Sequence, residues 1–573
     1  MSGPAAGGRR LNESQLGVWY AQRIDPLNPV FNMGGYLEIH GAADPGLLKA
    51  ALTALVAEDE TSRLRFTERD GVPWQSFGPA PDFTAELVDL SAEPDPDAEV
   101  RRRMRADMDT VPDLEHDRLF NHILFRLGPE RHVWFNRVHH LIHDGYSATI
   151  MRRRAAELYT SLAGGEESGT AFGSFERLLD EQSAYAGSAA QRRDAAYWRR
   201  IMEGAEHPSG PSSAMPTHRV ARRISHLGAE VFERLVRFGE RAGVSWQQAL
   251  ITAAAIQRHL WTGDPEVLLS LPVSGRLTPA SLSVPGMMAN VLPLRCRIDR
   301  GESCEDLAAR VAALTLRAQW HQRYDSADLL RDLDWPANSR QPFGPVVNIV
   351  AVEEQSSFAG MPAAGHMLST GGTAEDLSLT VTRSADEGLR IDFTIDEAYQ
   401  EAIGLSSYER AFHQVVDMMT VDAGVLVGDV DVLSPEERTL VMETWNNTHA
   451  PIDNRPLNEH FEEHAHTNPN ATALIYENTH LTYHDLNNRA NQLAHHLTTT
   501  GTQRGDMIAI LLERGTDFAT ALLAVTKIGA AYALLDPDFP DQRLHLILQD
   551  SRATTVITNT NTHHRIPPTY THL

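Results

Sequence analysis

One short stretch of the chain, His139-His140-Leu141-Ile142-His143-Asp144-Gly145, brings together side chains that can move protons. A histidine held by a rigid element can accept or orient a proton near neutral pH, and a carboxylate beside it can fix its tautomer or hold the loop. Gly145 allows the backbone to approach a substrate or to make a tight turn. The structural alternative is that the histidines are ordinary packing residues and that Asp144 simply caps a helix. The residue types therefore predict an acid/base loop and leave the structural alternative open.

The flanking residues place this stretch between a strand and a helix. Residues 131–138 carry apolar side chains among β-forming residues without a helical stripe, which predicts a strand. Residues 148–162 carry apolar side chains at helical spacing, with Ser147 as the predicted N-cap. A zinc site is the weaker interpretation, because His139 and His143 would share one face only on a helix. We therefore expect an acid/base loop at a helix N-terminus and no metal.

Length, charge and cysteine content limit the class of protein. A chain of 573 residues is too long for one ordinary core, so we expect two to four folding units. The formal net charge of -25 argues against nucleic acid or an anionic membrane as the main partner. No apolar stretch is long enough for a membrane span, the N-terminus does not read as a signal peptide, and Cys296 and Cys304 are the only cysteines. These features predict a cytoplasmic location.

Stretches with helical periodicity and stretches typical of strands alternate along the chain. Residues 11–22 predict an amphipathic helix that buries Leu16 and Trp19. Around residue 430 the composition shifts toward Thr, Asn and His. The remaining predicted elements are helices at 45–58, 175–202 and 245–260, the last capped by Ser245, and strands at 35–40, 62–66 and 266–272.

Several motifs, taken together, resemble the condensation domains of nonribosomal peptide synthetases, within the chloramphenicol-acetyltransferase-like acyltransferases. The pattern HHxxxDG formed by His139, His140, Asp144 and Gly145 is the signature of that family. The details look closest to the enterobactin-synthase type. The supporting stretches are 286–295, 321–325 and 343–349; residues 429–437 and 445–448 are similar to a condensation-to-adenylation linker, and residues 481–486 and 527–537 resemble the first two adenylation motifs.

The resemblance implies an architecture. We expect two chloramphenicol-acetyltransferase-like α/β lobes in a V-shaped pseudo-dimer, followed by a partial α/β adenylation subdomain. The predicted boundaries are a disordered leader at 1–10, an N-lobe at 11–206, a C-lobe at 207–430, a linker at 431–457 and an incomplete adenylation domain at 458–573. The nucleotide-binding parts of an adenylation domain would lie beyond Leu573. The chain by itself is therefore expected not to activate an amino acid.

The resemblance also implies a reaction and partners. A donor acyl thioester, possibly an aryl one, would be joined to the α-amine of an acceptor aminoacyl thioester as an amide. Both substrates would arrive on the 4'-phosphopantetheine arms of carrier proteins, the upstream donor carrier in trans and the acceptor carrier downstream, with no covalently bound cofactor on this chain. We expect a monomer. Ester-forming condensation, epimerisation and a non-catalytic docking or scaffold remnant are the alternatives.

Carried over residue by residue, the resemblance assigns roles. His140 would be the catalytic base or would position the attacking amine, and His139 would orient the loop. Asp144 would form a buried ion pair, with Arg276 as the suggested partner, and Gly145 would allow close backbone approach. Asn290 would line the tunnel wall or be purely structural. The run Arg152-Arg153-Arg154 would help a carrier dock or would be a solvated helix face, and Lys527 is expected to be structural.

Overall fold

The computed structural model describes residues 8–165, 169–207, 220–335, 343–350, 356–368, 377–384, 388–397 and 404–573. Its internal contacts divide the chain into two compact units, Met1–Thr439 and Leu440–Leu573. The strands of the first unit are β1 (Arg9–Arg10), β2 (Asn32–His40), β3 (Leu64–Arg69), β4 (Val72–Phe77), β5 (Glu86–Asp89), β6 (Phe120–Gly128), β7 (Arg131–His139), β8 (Val220–Leu227), β9 (Glu266–Val273), β10 (Asn290–Arg297), β11 (Val346–Val350), β12 (Ser356–Phe358), β13 (Met361–Leu368), β14 (Ser378–Ser384) and β15 (Gly388–Asp396). The helices of that unit are α1 (Glu13–Ile24), α2 (Pro45–Glu58), α3 (Pro96–Met108), α4 (Gly145–Leu162), α5 (Phe175–Tyr185), α6 (Ala189–Met202), α7 (Ala229–Ala242), α8 (Trp246–Thr262), α9 (Pro279–Leu282), α10 (Cys304–Trp320), α11 (Ser326–Asp332), α12 (Leu405–Val421) and α13 (Pro435–Thr439).

Two residues of the predicted disordered leader form a strand. Residues 1–7 lie outside the described residues, but Arg9 and Arg10 form strand β1, which pairs with β4. The Arg10 guanidinium lies 4.6 Å from the centre of the Trp74 ring, and Arg9 forms ion pairs with Glu176 and Asp180. The prediction of disorder through residue 10 is therefore wrong at its end, because partners distant in sequence hold these two arginines.

Two helix boundaries follow from their caps as the sequence predicts. Helix α2 begins where the Asp44 carboxylate accepts hydrogen bonds from two backbone N–H groups and Pro45 occupies the first turn. Helix α8 begins after Ser245, whose side chain forms a capping box with Gln248. It ends at Gly263, which has a φ of 77°.

The first half of this unit is built on a six-stranded sheet in the order β12-β13-β2-β7-β6-β5. Alternate residues of β7 point to opposite faces of the sheet. Trp134 packs with α2 and α4 on one face, and Val133 and Phe135 pack with α3 on the other. Both faces of β7 are therefore covered, which fixes the strand that leads into the histidine loop.

The second half is built on another six-stranded sheet, in the order β10-β9-β11-β14-β15-β8. Helices α7, α8, α10 and α12 contribute to the large core on one face, which includes Leu269 and Phe393. A smaller cluster around Trp198 and Phe343 covers part of the other face. Each half is thus a sheet flanked by helices, as the predicted α/β class requires.

The second half of the chain contributes one hairpin to the first sheet. Strands β12 and β13 follow β11 of the second sheet in the chain, yet β13 pairs antiparallel with β2 of the first sheet, from Ala363 opposite Ile39 to Leu368 opposite Gly34. The predicted lobes, 11–206 and 207–430, are therefore not separate, because this hairpin completes the first sheet. The edge of β2 would otherwise be left without backbone partners.

The second unit, Leu440–Leu573, has a small parallel sheet and a hairpin. Its strands are β16 (Thr472–Tyr476), β17 (Thr479–Thr482), β18 (Met507–Ile510), β19 (Ala531–Leu534), β20 (Thr555–Ile557) and β21 (Thr571–His572), and its helices are α14 (Leu457–Thr467), α15 (Tyr483–Thr499), α16 (Thr516–Lys527) and α17 (Asp541–Ser551). The order β19-β18-β20-β21 is parallel throughout, and buried residues such as Ile508 and Val556 form its core. Among the described residues of the whole chain, no helix combines the length and the apolar character needed to cross a membrane.

Candidate active site

The histidine loop is buried rather than carried on the surface. Strand β7 ends at His139, and the backbone N–H groups of His139 and His140 donate to the carbonyls of Leu119 and Phe31, both at 2.7 Å. Leu141 and Ile142 have exposed fractions of 0% and 2% and pack in a cluster with the Trp19 ring. These apolar contacts fix the loop, so its polar side chains are held in defined positions.

The helix after the loop starts earlier than predicted. Asp144, not Ser147, is the N-cap of α4, and its carboxylate accepts a hydrogen bond from the Ser147 N–H at 2.9 Å. Ser147 is the third helical residue, and its hydroxyl completes the capping box by accepting from the Asp144 N–H. Both residue types cap helices well, which is why local sequence could not choose between them.

Asp144 makes the predicted ion pair with Arg276. Arg276 Nη1 lies 2.6 Å from Asp144 Oδ2, and the two side chains are 0% and 1% exposed. The same carboxylate oxygen accepts the Met288 N–H at 3.1 Å, and Asp144 Oδ1 accepts the Ser147 hydroxyl at 2.8 Å. The Asp144 carboxylate is thus fully occupied by structural partners, which leaves it no lone pair for a substrate proton.

Arg276 joins the two halves of the unit at this point. Its Nη2 donates to the Gly286 carbonyl at 2.9 Å, and its Nε donates to the Ser281 carbonyl at 3.2 Å. Ser147 Oγ also accepts the Gly286 N–H at 3.0 Å. Helix α4 of the first half and residues 274–288 of the second half therefore share one buried polar cluster, in which every charge has a partner.

His140 differs from its neighbours because one of its ring nitrogens has no hydrogen-bond partner in the part of the chain that the structure describes. The residue is half-buried, and its Nδ1 is buried without a hydrogen bond among the described residues. Burial lowers the pKa of His140 from its ordinary value of 6.5, although the Asp144 carboxylate nearby works in the opposite direction. The ring is therefore neutral at pH 7 and available to accept a proton.

The other two histidines of the loop are structural. The Leu141 N–H donates to His139 Nδ1 at 3.1 Å, so the proton of the neutral ring lies on Nε2, which contacts Gln22 Oε1 at 3.2 Å. His143 Nε2 lies 3.0 Å from Asp59 Oδ2, with both side chains buried. The two rings thus bond partners on different elements and do not converge on a common point, so this loop does not form the zinc site that the sequence weakly suggested.

The buried histidines predict an acid-sensitive fold. Burial lowers the pKa of His139 and of His122 to about 3, from 6.5. In the unfolded chain these histidines become protonated near pH 6.5, whereas in the folded protein they stay neutral down to about pH 3. The free energy of unfolding should therefore fall as the pH drops through this window. The expected fall is about 1.4 kcal/mol per pH unit for each histidine.

We expect His139→Gln to flatten that dependence between pH 6.5 and 5 by about 1.4 kcal/mol per unit in denaturant titrations of the first unit. His116→Gln is the control, since the His116 side chain is 79% exposed. Parallel pH slopes for the wild type and His139→Gln would contradict this account.

Sequence reasoning missed three residues that hold the loop. Gln15 is fully buried, although Leu16 was predicted to face the core instead; Leu16 is only half-buried. Gln15 Nε2 donates to the Leu141 carbonyl at 3.2 Å, and its amide exchanges two hydrogen bonds with Gln75. Gln15 and Asp59 contact the loop directly through Leu141 and His143, and Gln75 holds the Gln15 amide in place. The one sign of this role in the sequence was Gln15 itself, a polar residue at a position of the predicted helix that faces the core.

Asn290 lies beside a cavity but its amide is fully used. It is one of the residues that line a cavity of about 430 Å³, which also reaches Asn12 and Asp325. Its Nδ2 donates to the carbonyls of Gln322 and Tyr324 at 2.9 and 2.8 Å, and its Oδ1 accepts two backbone N–H groups. Asn290 therefore lies in the wall of this cavity, and its four hydrogen bonds give it a structural role.

The run of three arginines on α4 is not a solvated face. Arg154 is 5% exposed and forms a bidentate pair with Glu58 at 2.8 Å, and Arg152 is 8% exposed. Only Arg153 is open, with a side chain 56% exposed and 3.9 Å from Glu157. A carrier that docks on this helix would meet one arginine, because the helical rotation turns the other two inward.

Within the second unit, Lys527 is structural, as predicted. Its side chain is 5% exposed, and its Nζ forms an ion pair with Glu462. A buried ammonium with a carboxylate partner is stabilising only in that paired form. Lys527 therefore joins helices α16 and α14 within this unit.

Comparison with known families accounts for both units. The family model "Condensation domain" matches residues 7–442, and the model "AMP-binding enzyme" matches residues 461–571. Among curated proteins, the chain is 33% identical to a dimodular nonribosomal peptide synthase of Bacillus subtilis (strain 168) and 30% identical to enterobactin synthase component F of Escherichia coli (strain K12). Each match covers 96% of this chain, which spans only 23% and 43% of those two relatives.

Solved structures agree on the first unit. The starter condensation domain of rhizomide synthetase is matched with a TM-score of 0.67 and 30% identity, over 75% of this chain and 98% of that one. The first condensation domain of the calcium-dependent antibiotic synthetase is matched with a TM-score of 0.66 and 30% identity, over 75% and 100%. The predicted fold class is confirmed, and the chain belongs to the condensation-domain family of nonribosomal peptide synthetases, followed by the start of an AMP-binding domain.

Proposed function

We propose that this chain forms an amide bond between a donor acyl thioester and the α-amine of an acceptor aminoacyl thioester. The observation that carries the proposal is the contrast within the signature loop. His140 Nδ1 has no hydrogen bond within the described residues, while the side chains of His139, His143 and Asp144 are bonded to partners on other elements. One free base in a rigid, buried loop is what a proton-accepting site needs.

The chemistry requires little beyond positioning. The acceptor nitrogen attacks the donor carbonyl carbon, a C–N bond forms, the C–S bond breaks, and the sulfur of the donor arm leaves as a thiol with the proton that the amine gives up. His140 accepts that proton or hydrogen-bonds the amine during the attack. Thioesters are already activated, so the alignment of amine and carbonyl supplies most of the rate and proton transfer supplies the rest.

The substrates are proposed to arrive on 4'-phosphopantetheine arms of carrier proteins. The matched structure of the starter condensation domain of rhizomide synthetase is that of a doubly substituted mutant in complex with C8-CoA and Leu-SNAC, an acyl and an aminoacyl thioester. By analogy we propose an acyl donor, on a separate upstream carrier, a downstream acceptor carrier, and a monomeric catalyst. Mixing this chain with two separately loaded carriers and detecting the amide by mass spectrometry tests the function; absence of product with every donor and acceptor tried would favour a non-catalytic scaffold.

A substitution at Gly145 tests the approach of the substrate separately from the stability of the fold. A Cβ added at Gly145 would meet no protein atom within 4 Å, so the fold itself does not require glycine there. We expect Gly145→Ala to keep the wild-type melting temperature and to reduce the rate of amide formation at least tenfold, since only a substrate would contact the new methyl group. Gly275→Ala is the contrasting variant, because its Cβ would lie 2.1 Å from the Met288 carbonyl oxygen and should destabilise the fold. A fully active Gly145→Ala protein would refute the proposed approach path.

The second unit is not proposed to act by itself. Nucleotide sites hold phosphates with a glycine-rich loop of backbone amides and a cation. No such loop occurs in the sequence after Leu481, and Lys527 is paired with Glu462. We expect this 573-residue chain to give no amino-acid-dependent pyrophosphate exchange above background. Clear exchange would mean that residues 458–573 contain catalytic parts that we have assigned to structure.

A further inference from the structure

Helix α1 turns two glutamines toward the signature loop from one buried face. Gln15 and Gln22 are seven residues apart, which is close to two helical turns, so both lie on the same side of the helix. Their exposed fractions are 0% and 4%, and Trp19, which lies between them on that side, is fully buried. Apolar side chains at these positions would fill the core without burying any polar group. We therefore looked for what the hydrogen bonds of the two amides hold.

The part of the loop that α1 contacts is a tight turn with His140 at its first corner. The Ile142 N–H donates to the His139 carbonyl at 3.0 Å, which closes a four-residue turn from His139 to Ile142. His140 and Leu141 are the two central residues of this turn. His140 Nδ1 makes no hydrogen bond within the described residues, so that atom does not hold the ring in place. The position of the His140 ring therefore depends on how firmly His139 and Leu141 are held.

Gln15 holds the residue that follows His140. Its Nε2 donates to the Leu141 carbonyl at 3.2 Å, and its Oε1 accepts the Asn12 N–H at 3.1 Å. A carbonyl partner on one side and an N–H partner on the other allow the amide only one orientation. Gln75, which is 1% exposed, exchanges two further hydrogen bonds with the same amide, at 3.1 and 2.8 Å. The Gln15 amide is thus fully bonded, and one of its four bonds goes to the turn.

Gln22 holds His139, the residue on the other side of the corner. Its Nε2 donates to the carbonyls of Asp25 and Asn28, both at 3.0 Å, and this fixes the amide because a carbonyl can only accept. Gln22 Oε1 therefore faces His139 Nε2 as an acceptor, at 3.2 Å. The Leu141 N–H donates to the other ring nitrogen of His139, Nδ1, at 3.1 Å. The His139 ring is thus oriented at both nitrogens, and Gln22 supplies one of the two bonds.

We propose that Gln15 and Gln22 are positioning residues for the amide-forming reaction, which hold the two neighbours of His140 and thereby set where its ring meets the attacking amine. This inference rests on the proposed function and adds to it the helix that orients the reacting histidine. Both glutamines act through the turn rather than on the substrate. The kinetic effect of such positioning is large, since a displacement of about 1 Å at a reacting group can lower a rate by about 10²-fold.

Methionine substitutions test this role, because methionine keeps the length of a glutamine side chain and removes its hydrogen bonds. We expect Gln15→Met and Gln22→Met each to lower kcat for amide formation by about 10- to 100-fold and to change KM by less than about twofold, at a temperature where both are folded. If Gln15→Met does not fold, Gln75→Met replaces it, since it removes two bonds of the Gln15 amide and leaves the bond to Leu141.

Gln257→Met is the matched control. Gln257 is also fully buried, and its Nε2 donates to a backbone carbonyl, that of Tyr408, at 2.6 Å. It lies on α8, however, in the part of the unit that covers the second sheet. We expect this variant to lose stability and to keep the wild-type kcat.

The decisive measurement repeats both substitutions in the His140→Ala protein, in single-turnover reactions that follow its slow residual rate. Positioning through His140 predicts that Gln15→Met and Gln22→Met then lower the rate by less than about twofold, because no ring is left to place. Wild-type kcat in both single variants, or an equal fold-loss with and without His140, would overturn the positioning role and leave the proposed function standing. No amide from the wild type with any pair of loaded carriers would overturn the proposed function and, with it, the role assigned to the two glutamines.

Discussion

Replacing His140 by alanine is expected to lower kcat/KM for amide formation by about 10²- to 10⁴-fold while leaving the fold intact. The fold should largely survive because His140 Nδ1 makes no hydrogen bond within the described residues, so removing the ring leaves no partner of that atom unpaired. The kinetic loss should follow because the neighbouring groups of the loop have other partners: Asp144 is in a buried ion pair with Arg276, and His143 contacts Asp59.

His139→Ala is the matched control. That change removes the acceptor of the Leu141 N–H and the partner of Gln22 Oε1, so we expect it to reduce stability. Thermal unfolding and single-turnover amide formation, measured on both variants, should give opposite patterns. A loss of less than about tenfold for His140→Ala would favour positioning of the amine over proton transfer.

The pH dependence of the rate supplies a second readout. Because burial holds the pKa of His140 below 6.5, its ring stays neutral at pH 7 and becomes protonated only in more acidic solution. The wild-type rate should therefore fall below pH 6.5, and the contribution of His140 to that fall should be missing in His140→Ala. If the rate fell at low pH in the same way for the wild type and for His140→Ala, His140 would not be the group that accepts the proton.

Removing Asp144 is expected to produce the largest loss of stability, about 3–5 kcal/mol for Asp144→Ala. Arg276 would remain buried with its charge uncompensated, and the Met288 N–H and the Ser147 N–H would lose their acceptor. The exposed pair of Arg102 and Glu99 is the control, since Arg102→Ala should cost less than about 1 kcal/mol. An unchanged melting temperature for Asp144→Ala would contradict this interpretation.

A double variant separates the ion pair from the rest of the cluster. Asp144→Ala combined with Arg276→Met removes both charges, so part of the stability lost in Asp144→Ala should return. Asp144→Asn keeps an oxygen for the Ser147 N–H and should be the mildest of the three changes. If the loss of stability in the double variant equalled the sum of the losses in the two single variants, the two side chains would not interact. That result would contradict the 2.6 Å contact between them.

Local patterns in the sequence determined the elements that frame the loop. Strand β7, helix α2 and the capped start of α8 were predicted within a few residues, because apolar periodicity and cap residues act over a handful of positions. The signature residues themselves could also be found, since their spacing is a local property. Where two caps compete within four residues, as Asp144 and Ser147 do, the local signal failed, and the bond from Arg276 to Asp144 fixed the outcome.

Only the tertiary structure decided which side chains meet. His143 pairs with Asp59, 84 residues earlier in the chain, and β13 crosses to pair with β2, over 300 residues away in sequence. The residue types alone suggested that Arg152 to Arg154 dock a carrier or form a solvated helix face, but helix rotation against the sheet buried two of the three. Burial and pairing depend on what packs opposite a residue, and that partner is set by the global fold rather than by neighbouring positions. For that reason the sequence could point to His140, whereas the unbonded Nδ1 of its ring and the burial of Arg152 depend on what the tertiary structure packs around them.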